Sequence, residues 1–271
     1  QTVADVLKLL LKEDIIPKAA DKPLFIIAPV IAFAPSFMVL ATMPFTDAFQ
    51  FADIGVGLLY YIAVSGLTTF GMLLGGWASN NKYALLGGMR ASAQMISYEI
   101  PLVMSVLGVI LLTGSLNLND MVEAQKHGWF ILLQPIGFII FFIASIAELN
   151  RTPFDLPESE NELVAGYHVE YTGFRWAFFM LAEYVYLFAM SALITVVFLG
   201  GWLAPFSFLS FIPGAVWFAV KFSAVVFVYI WLRATLPRFR ADKLMEFGWK
   251  VLLPIALANI FLTALVKSLF F

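Results

Sequence analysis

The chain has 271 residues, 62% of them hydrophobic and 13% charged, with a formal net charge of −2 and no cysteine. A mean hydropathy of +0.91 lies outside the range of soluble domains and marks an integral membrane protein. The composition excludes disulfides and thiolate-held iron–sulfur clusters, and it offers no basic face for nucleic acid.

Residues 1–18, QTVADVLKLLLKEDIIPK, are too short and too charged to span a bilayer. Val3, Val6, Leu7, Leu10 and Leu11 follow helical spacing, with Asp5, Lys8 and Lys12 away from them. That pattern suits an amphipathic helix lying in the membrane interface, and equally the start of an ordinary helix. Seven spans are expected next, at about 24–44, 54–78, 84–114, 129–149, 172–199, 213–235 and 246–270. Pro29, Pro35, Pro101 and Pro254 fall inside them, where neighbouring groups satisfy the freed carbonyls. Trp77, Trp129, Trp176, Trp202, Trp231 and Trp249 fall near the expected ends, as an aromatic belt would. The expectation is an all-α, polytopic membrane helix bundle, with residues 1–271 forming a single membrane domain. No inverted repeat is evident, which disfavours common transporter folds. His127 and His168 both fall in expected loops, so a bis-histidine haem within the bundle is excluded as well.

The basic residues orient the chain. With the N-terminus inside, only Lys126 and Lys267 of the 16 lysines and arginines fall on the outer side, and Lys221 falls within a span. The other basic residues gather inside, a clear positive-inside bias. The loop at 147–171, AELNRTPFDLPESENELVAGYHVEY, is therefore expected on the cytoplasmic side, or on the matrix or stromal side in an organelle.

That loop carries Glu148, Asp155, Glu158, Glu160, Glu162 and Glu170, a third of the 18 acids in the chain. A solvated loop with casual charges is one reading. Against it, Asn150, Thr152-Pro153, Asp155 and Leu156-Pro157 carry turn chemistry that defines a path. A short helix beginning at Pro157 would put Glu158 and Glu162 on one face, where like charges repel. Phe154, Leu163, Val164 and Tyr167 are interleaved and suited to seating the loop against the bundle.

Three charges fall inside spans: Glu99 in the third, Glu183 in the fifth and Lys221 in the sixth. A charge at mid-bilayer costs roughly 2.5–3.5 kcal/mol on insertion scales, so such residues face a bundle interior or a polar cavity. Each alone is compatible with a satisfied structural polar group. Three in one bundle, fed by an acidic loop, favour a proton path, with Lys221 expected beside one of the acids. In residues 79–99, SNNKYALLGGMRASAQMISYE, Gly87 and Gly88 allow close backbone packing. Lys82 and Arg90 are counter-charges for the acidic loop or positive-inside anchors.

GWASNNKYALLGGMRASAQMISYE, the acidic loop and the tail LRATLPRFRADKLMEFGWK together resemble the H-subunit family of proton-pumping NADH:quinone oxidoreductase, respiratory complex I. The family is called the ND-one type in mitochondria, and the likeness runs over essentially the whole chain. Members of that family begin with a further membrane helix and a basic segment, so eight spans are expected in the complete subunit. The resemblance implies a subunit at the junction of the membrane arm and the hydrophilic arm, in an energy-transducing membrane, here the bacterial cell inner membrane. It implies that the protein forms part of the quinone chamber and couples quinone reduction to proton translocation. Those roles carry over to Glu148, Arg151, Asp155, Glu158, Glu160, Glu162 and Glu170 in the loop, and to Glu99 and Glu183 in the membrane. Phe154 and Tyr167 are candidate chamber walls. Arg151, three residues after Glu148, is expected to neutralise that acid in part. Quinone is the implied substrate; FMN and iron–sulfur clusters belong to partner subunits, and the chain supplies no metal ligands.

Two other functions fit the same residues. A homologous subunit of an energy-converting hydrogenase or ferredoxin-dependent complex would share the acids and use another donor. A stand-alone ion transporter would move ions as an isolated protein.

Overall fold

The computed structural model describes residues 1–47, 49–155, 164–206, 209 and 211–270. The described chain is helical throughout, with a lone β-bridge between Pro44 and Gln50. In chain order the helices are α1 (Thr2–Leu11), α2 (Lys22–Met38), α3 (Gly57–Ser65), α4 (Leu67–Ala78), α5 (Lys82–Thr113) and α6 (Leu118–Ala124). They continue as α7 (Phe130–Leu133), α8 (Pro135–Glu148), α9 (Gly173–Val197), α10 (Gly214–Thr235), α11 (Ala241–Phe247) and α12 (Leu253–Phe270).

Among the described residues, six helical stretches are long and apolar enough to cross a membrane: 22–42, 57–78, 82–113, 173–197, 214–235 and 241–269. α3 and α4 form one of them, because Gly66 between them keeps helical dihedrals of −58° and −23°. The stretch at 129–149 departs from the expected continuous span. It is the single turn α7 followed by the 14-residue α8, with Gln134 between them at φ −132° and ψ 56°. The cause is Pro135, whose ring drives the preceding residue out of the helical region. The 14 residues rise about 21 Å, short of a bilayer core of about 30 Å. At this break, buried Gln134 donates to the Thr263 hydroxyl (2.6 Å) and accepts from the Asn259 amide (3.1 Å), which ties α8 to α12.

α5 is the axis of the bundle, packing on α4, α8 and α12. Its ends are well defined. Asn81 accepts from the Tyr83 N–H (2.9 Å), and Gly114 closes the last turn at φ 75° with its N–H on the Ile110 carbonyl. The larger core cluster joins Tyr61, Tyr98, Val106, Phe141, Leu193 and Phe198; a smaller one joins Phe25, Met95, Tyr167, Tyr171 and Phe179. Outward positions such as Phe227, Phe261 and Leu265 are apolar and exposed, as suits surfaces facing lipid tails. α1 has no buried residue and keeps Val3, Leu7 and Leu11 exposed. It packs on the start of α9, where the Ile15 N–H bonds the Thr172 hydroxyl (3.2 Å).

One irregularity lies between α11 and α12. Gly248–Leu252 forms a π-turn, with Gly248 against the Tyr98 ring. The Tyr98 hydroxyl donates to the Leu244 carbonyl at 2.9 Å.

Candidate functional site

The acidic loop leaves the bundle at the C-terminus of α8. Asn150 takes the left-handed conformation at φ 51°, a role asparagine tolerates better than most residues, and Pro153 follows to stop the helix. The Thr152–Pro153 bond is cis. Gln94 on α5 closes this bend from below. Its amide donates to the Ala147 carbonyl (2.7 Å) and to the Phe154 carbonyl (2.8 Å), tying the helix end to the loop. Phe154 is buried beside Tyr98 and Phe239. Asp155 pairs with Arg238 (3.0 Å), and the Phe239 N–H bonds the Pro153 carbonyl (3.1 Å), so residues after α10 brace the loop.

Two acids at this end are deeply buried and separately partnered. Glu148, 3% exposed, accepts from the Tyr186 hydroxyl on α9 at 2.6 Å through Oε1. Its Oε2 is buried and has no hydrogen-bond partner among the described residues. Tyr61 on α3 and Tyr229 on α10 belong to the same core cluster, and the Tyr229 hydroxyl is 2.6 Å from the Ser145 hydroxyl. Glu183, also on α9, forms an ion pair with Arg151, 2.6 Å from Oε1 to Nε, both side chains under a tenth exposed. The Arg151 guanidinium lies over the Tyr184 ring at 4.6 Å. The expectation that Arg151 offsets Glu148 is corrected: its ion-pair partner is Glu183, because the reversal at Asn150 turns its side chain toward α9. Glu99 on α5 packs against the α3–α4 junction. A Cβ placed on Gly66 would lie 3.1 Å from Glu99 Oε1.

The loop returns through a short 3-10 turn, Gly166–His168, which rests on α5. Gly87 makes this contact possible: a Cβ there would lie 2.6 Å from Gly166 Cα. Tyr167 packs edge-on to Phe179 and is buried. Burial holds the His168 imidazole down to about 4, so it is neutral at physiological pH. Glu170 accepts from the Asn81 amide at 2.7 Å. Its partner is thus an amide rather than Lys82, which lies over its neighbour's ring, Tyr83, at 5.5 Å. Arg90 is half-buried on the same helix. Glu158, Glu160 and Glu162, with the short helix expected at Pro157, lie outside the described residues.

Lys221 stands apart from these acids. Its ammonium donates to the carbonyls of Leu199 (2.6 Å), Gly201 (3.0 Å) and Leu203 (2.6 Å), with the Trp129 ring 4.4 Å away. Those groups belong to the turn after α9, at the end opposite the acidic loop. The expected proximity of Lys221 to an intramembrane acid is therefore corrected. Three unpaired carbonyls beyond a helix end outcompete a carboxylate further along the bundle.

Sequence reasoning missed Tyr186, Gln94 and Arg238. Tyr186 had a readable signal, since it lies three residues after Glu183 on one helix, where neighbouring side chains share a face. Gln94 and Arg238 had none, because their partners are distant in sequence. Among the described residues no group of three His, Asp or Glu stands close enough to hold a metal ion. Two clefts of about 630 and 600 Å³, around Trp129 and Leu203 and around Gln134 and Thr263, are lined by none of the acids. The described arrangement is thus two buried carboxyl groups at the root of the loop, one held by a phenol and one by a guanidinium.

The family model described as NADH dehydrogenase matches residues 1–264. The chain is 80% identical over its full length to the H subunit of the NADH-quinone oxidoreductase of Geobacillus sp. (strain WCH70), and 80% identical to that of Anoxybacillus flavithermus. It is 79% identical to the corresponding protein of Bacillus cytotoxicus. In each case it covers 81% of the relative's length.

Proposed function

The chain belongs to the NADH dehydrogenase family, and from that premise we propose that it forms part of a quinone chamber and couples quinone reduction to proton translocation. It is a multi-pass membrane subunit of an NADH-quinone oxidoreductase and works with the other subunits of that complex. The observation that carries the finer reading is the pair of buried acids, Glu148 and Glu183, at the root of the acidic loop.

Quinone reduction takes up two electrons and two protons, and negative charge in a headgroup pocket acts on nearby carboxylates. A loop braced by Gln94, Arg238 and Asn81 transmits such a change to the helix end that carries Glu148. In this reading the loop acids, Asp155, Glu158, Glu160, Glu162 and Glu170, surround the chamber, with Phe154 and Tyr167 seating its walls. Glu99, Glu148 and Glu183 begin the proton path, and Lys221 keeps the far turn in shape. The electrons arrive from an iron–sulfur cluster of the hydrophilic arm. The positive-inside pattern of the basic residues supports a loop on the cytoplasmic side of the bacterial cell membrane. The names of the relatives favour NADH over ferredoxin or hydrogen as the source of electrons.

The test is to tag the complete subunit in its own cells, extract it in mild detergent and identify what co-purifies. The preparation is then assayed for short-chain quinone reduction with NADH, reduced ferredoxin or hydrogen. Iron–sulfur subunits and NADH-driven activity are expected. Activity with another donor only would move the protein to a sister complex, and recovery as a lone protein would leave a transporter.

A further inference from the structure

The Glu148 carboxyl group is asymmetric in a way that assigns its two oxygens different tasks. Oε1 is held at 2.6 Å by the Tyr186 hydroxyl, while Oε2 is buried with no hydrogen-bond partner among the described residues. Both residues are buried, Glu148 at the end of α8 and Tyr186 in mid-α9. A phenol has one proton to donate, and here its acceptor is a carboxylate oxygen. Around the pair stand other neutral hydroxyls, Tyr61, Tyr229 and Ser145. The Ser65 hydroxyl lies within reach of Tyr186, next to the Gly66 position against which Glu99 rests. Tyr186 thus stands between Glu148 and the helix junction on which Glu99 rests.

We infer that Tyr186 is a positioning residue that fixes the rotation of the Glu148 carboxyl group, so that Oε2 is the single oxygen that takes up and releases a proton. The step balances simply. A proton arriving from the path binds Oε2, converting the carboxylate to a neutral acid, and leaves again from the same oxygen. Tyr186 keeps its own proton throughout and stays a neutral phenol. Without the phenol, the carboxyl group rotates about its last bond and either oxygen can hold the proton, so uptake and release lose their single fixed site. At 2.6 Å the bond lies at the short end of the O–H···O range, where it is directional. The inference rests on the reading of Glu148 as a proton-carrying group.

The experiment compares Tyr186→Phe and Glu148→Gln in the intact complex, each in three assays. NADH oxidation by ferricyanide, which needs only the hydrophilic arm, reports assembly. NADH:quinone reduction with proton pumping reports coupling. Infrared difference spectra of the purified complex report the carboxyl C=O band that Glu148→Gln removes. The expected result for Tyr186→Phe is unchanged ferricyanide activity and roughly a ten-fold loss of coupled quinone reduction, the size of one buried hydrogen bond. The Glu148 band is expected to move to higher wavenumber as its donor is lost. Full coupled activity and an unmoved band in Tyr186→Phe, with Glu148→Gln inactive, would overturn the inference and leave the reading of Glu148 standing. Full coupled activity in Glu148→Gln would overturn both. If the Phe variant assembles poorly, the band is read on equal amounts of purified complex, where an unmoved band still overturns the inference.

Discussion

Arg151 and Glu183 close on one another at 2.6 Å with both side chains withdrawn from solvent, and they join the acidic loop to the middle of α9. Their attraction offsets the desolvation of both charges only while both are present. Removing one partner of such a pair costs about 3–5 kcal/mol, because the other is left buried and uncompensated. Arg151→Met is therefore expected to deplete the assembled complex, and Arg151→Met with Glu183→Leu to restore part of it. Native gels of membranes from the Arg151→Met, Glu183→Leu and double-variant strains check this. A double variant as depleted as the two single ones combined would mean that the residues act separately.

Lys221→Met removes three charge-assisted bonds to the turn after α9, each worth about 1.5–3 kcal/mol at most. The expected result is a lower unfolding temperature for the complex, with the ratio of protons pumped to NADH oxidised unchanged in whatever assembles. Thermal inactivation curves and pumping traces from one preparation measure both. A changed ratio would return Lys221 to the proton path.

Gly87→Ala places a methyl group 2.6 Å from Gly166 Cα and 2.7 Å from the Tyr167 nitrogen, against backbone that has no rotamer to yield. Overpacking of this kind costs about 1–3 kcal/mol, and here it is directed at the docking of the loop. Gly55→Ala meets nothing within 4 Å and serves as the control. Limited trypsin digestion is expected to cut the Gly87 variant faster at Arg151 or Arg175 and to leave the control at the parental rate. Equal rates would mean that the loop docks without this contact.

His168 links the same docking to pH. Burial lowers its imidazole from the usual 6.5 to about 4. An undocked loop takes up a proton near 6.5, whereas the docked one resists until about 4. Between these values the undocked state binds more protons, so docking weakens as pH falls through that window and is unaffected above it. The whole effect is about 3 kcal/mol. His168→Phe is expected to flatten the dependence. Trypsin is replaced by pepsin or hydrogen exchange for the acidic range, and a slope that survives the substitution would assign the effect to other groups.

Much of this architecture could be read from the chain alone. Apolar runs near 20 residues marked the long spans, because the bilayer dictates their length regardless of partners. The break at Gln134 was also written in the chain, in the proline after it, but hydropathy overrode that signal. The three intramembrane charges were conspicuous, and their partners were not. Glu183 finds Arg151 and Lys221 finds three carbonyls through helix packing, which no periodicity encodes. Tyr186 carried only the signal of its place one turn after Glu183, and the many aromatic residues of the same apolar helix obscured it.

The π-turn at Gly248–Leu252 has a consequence for the whole last span. A wide turn accommodates one residue more than a regular one, so everything beyond it is rotated by about 100° relative to an unbroken helix. On one side of that offset, Leu244 receives the Tyr98 hydroxyl; on the other, Asn259 and Thr263 meet Gln134. Deleting a single residue there would let the helix become regular, and the two ends would no longer fit their partners together. The irregular turn is thus a phase setting: it keeps the inner and outer halves of one helix in step with two different neighbours.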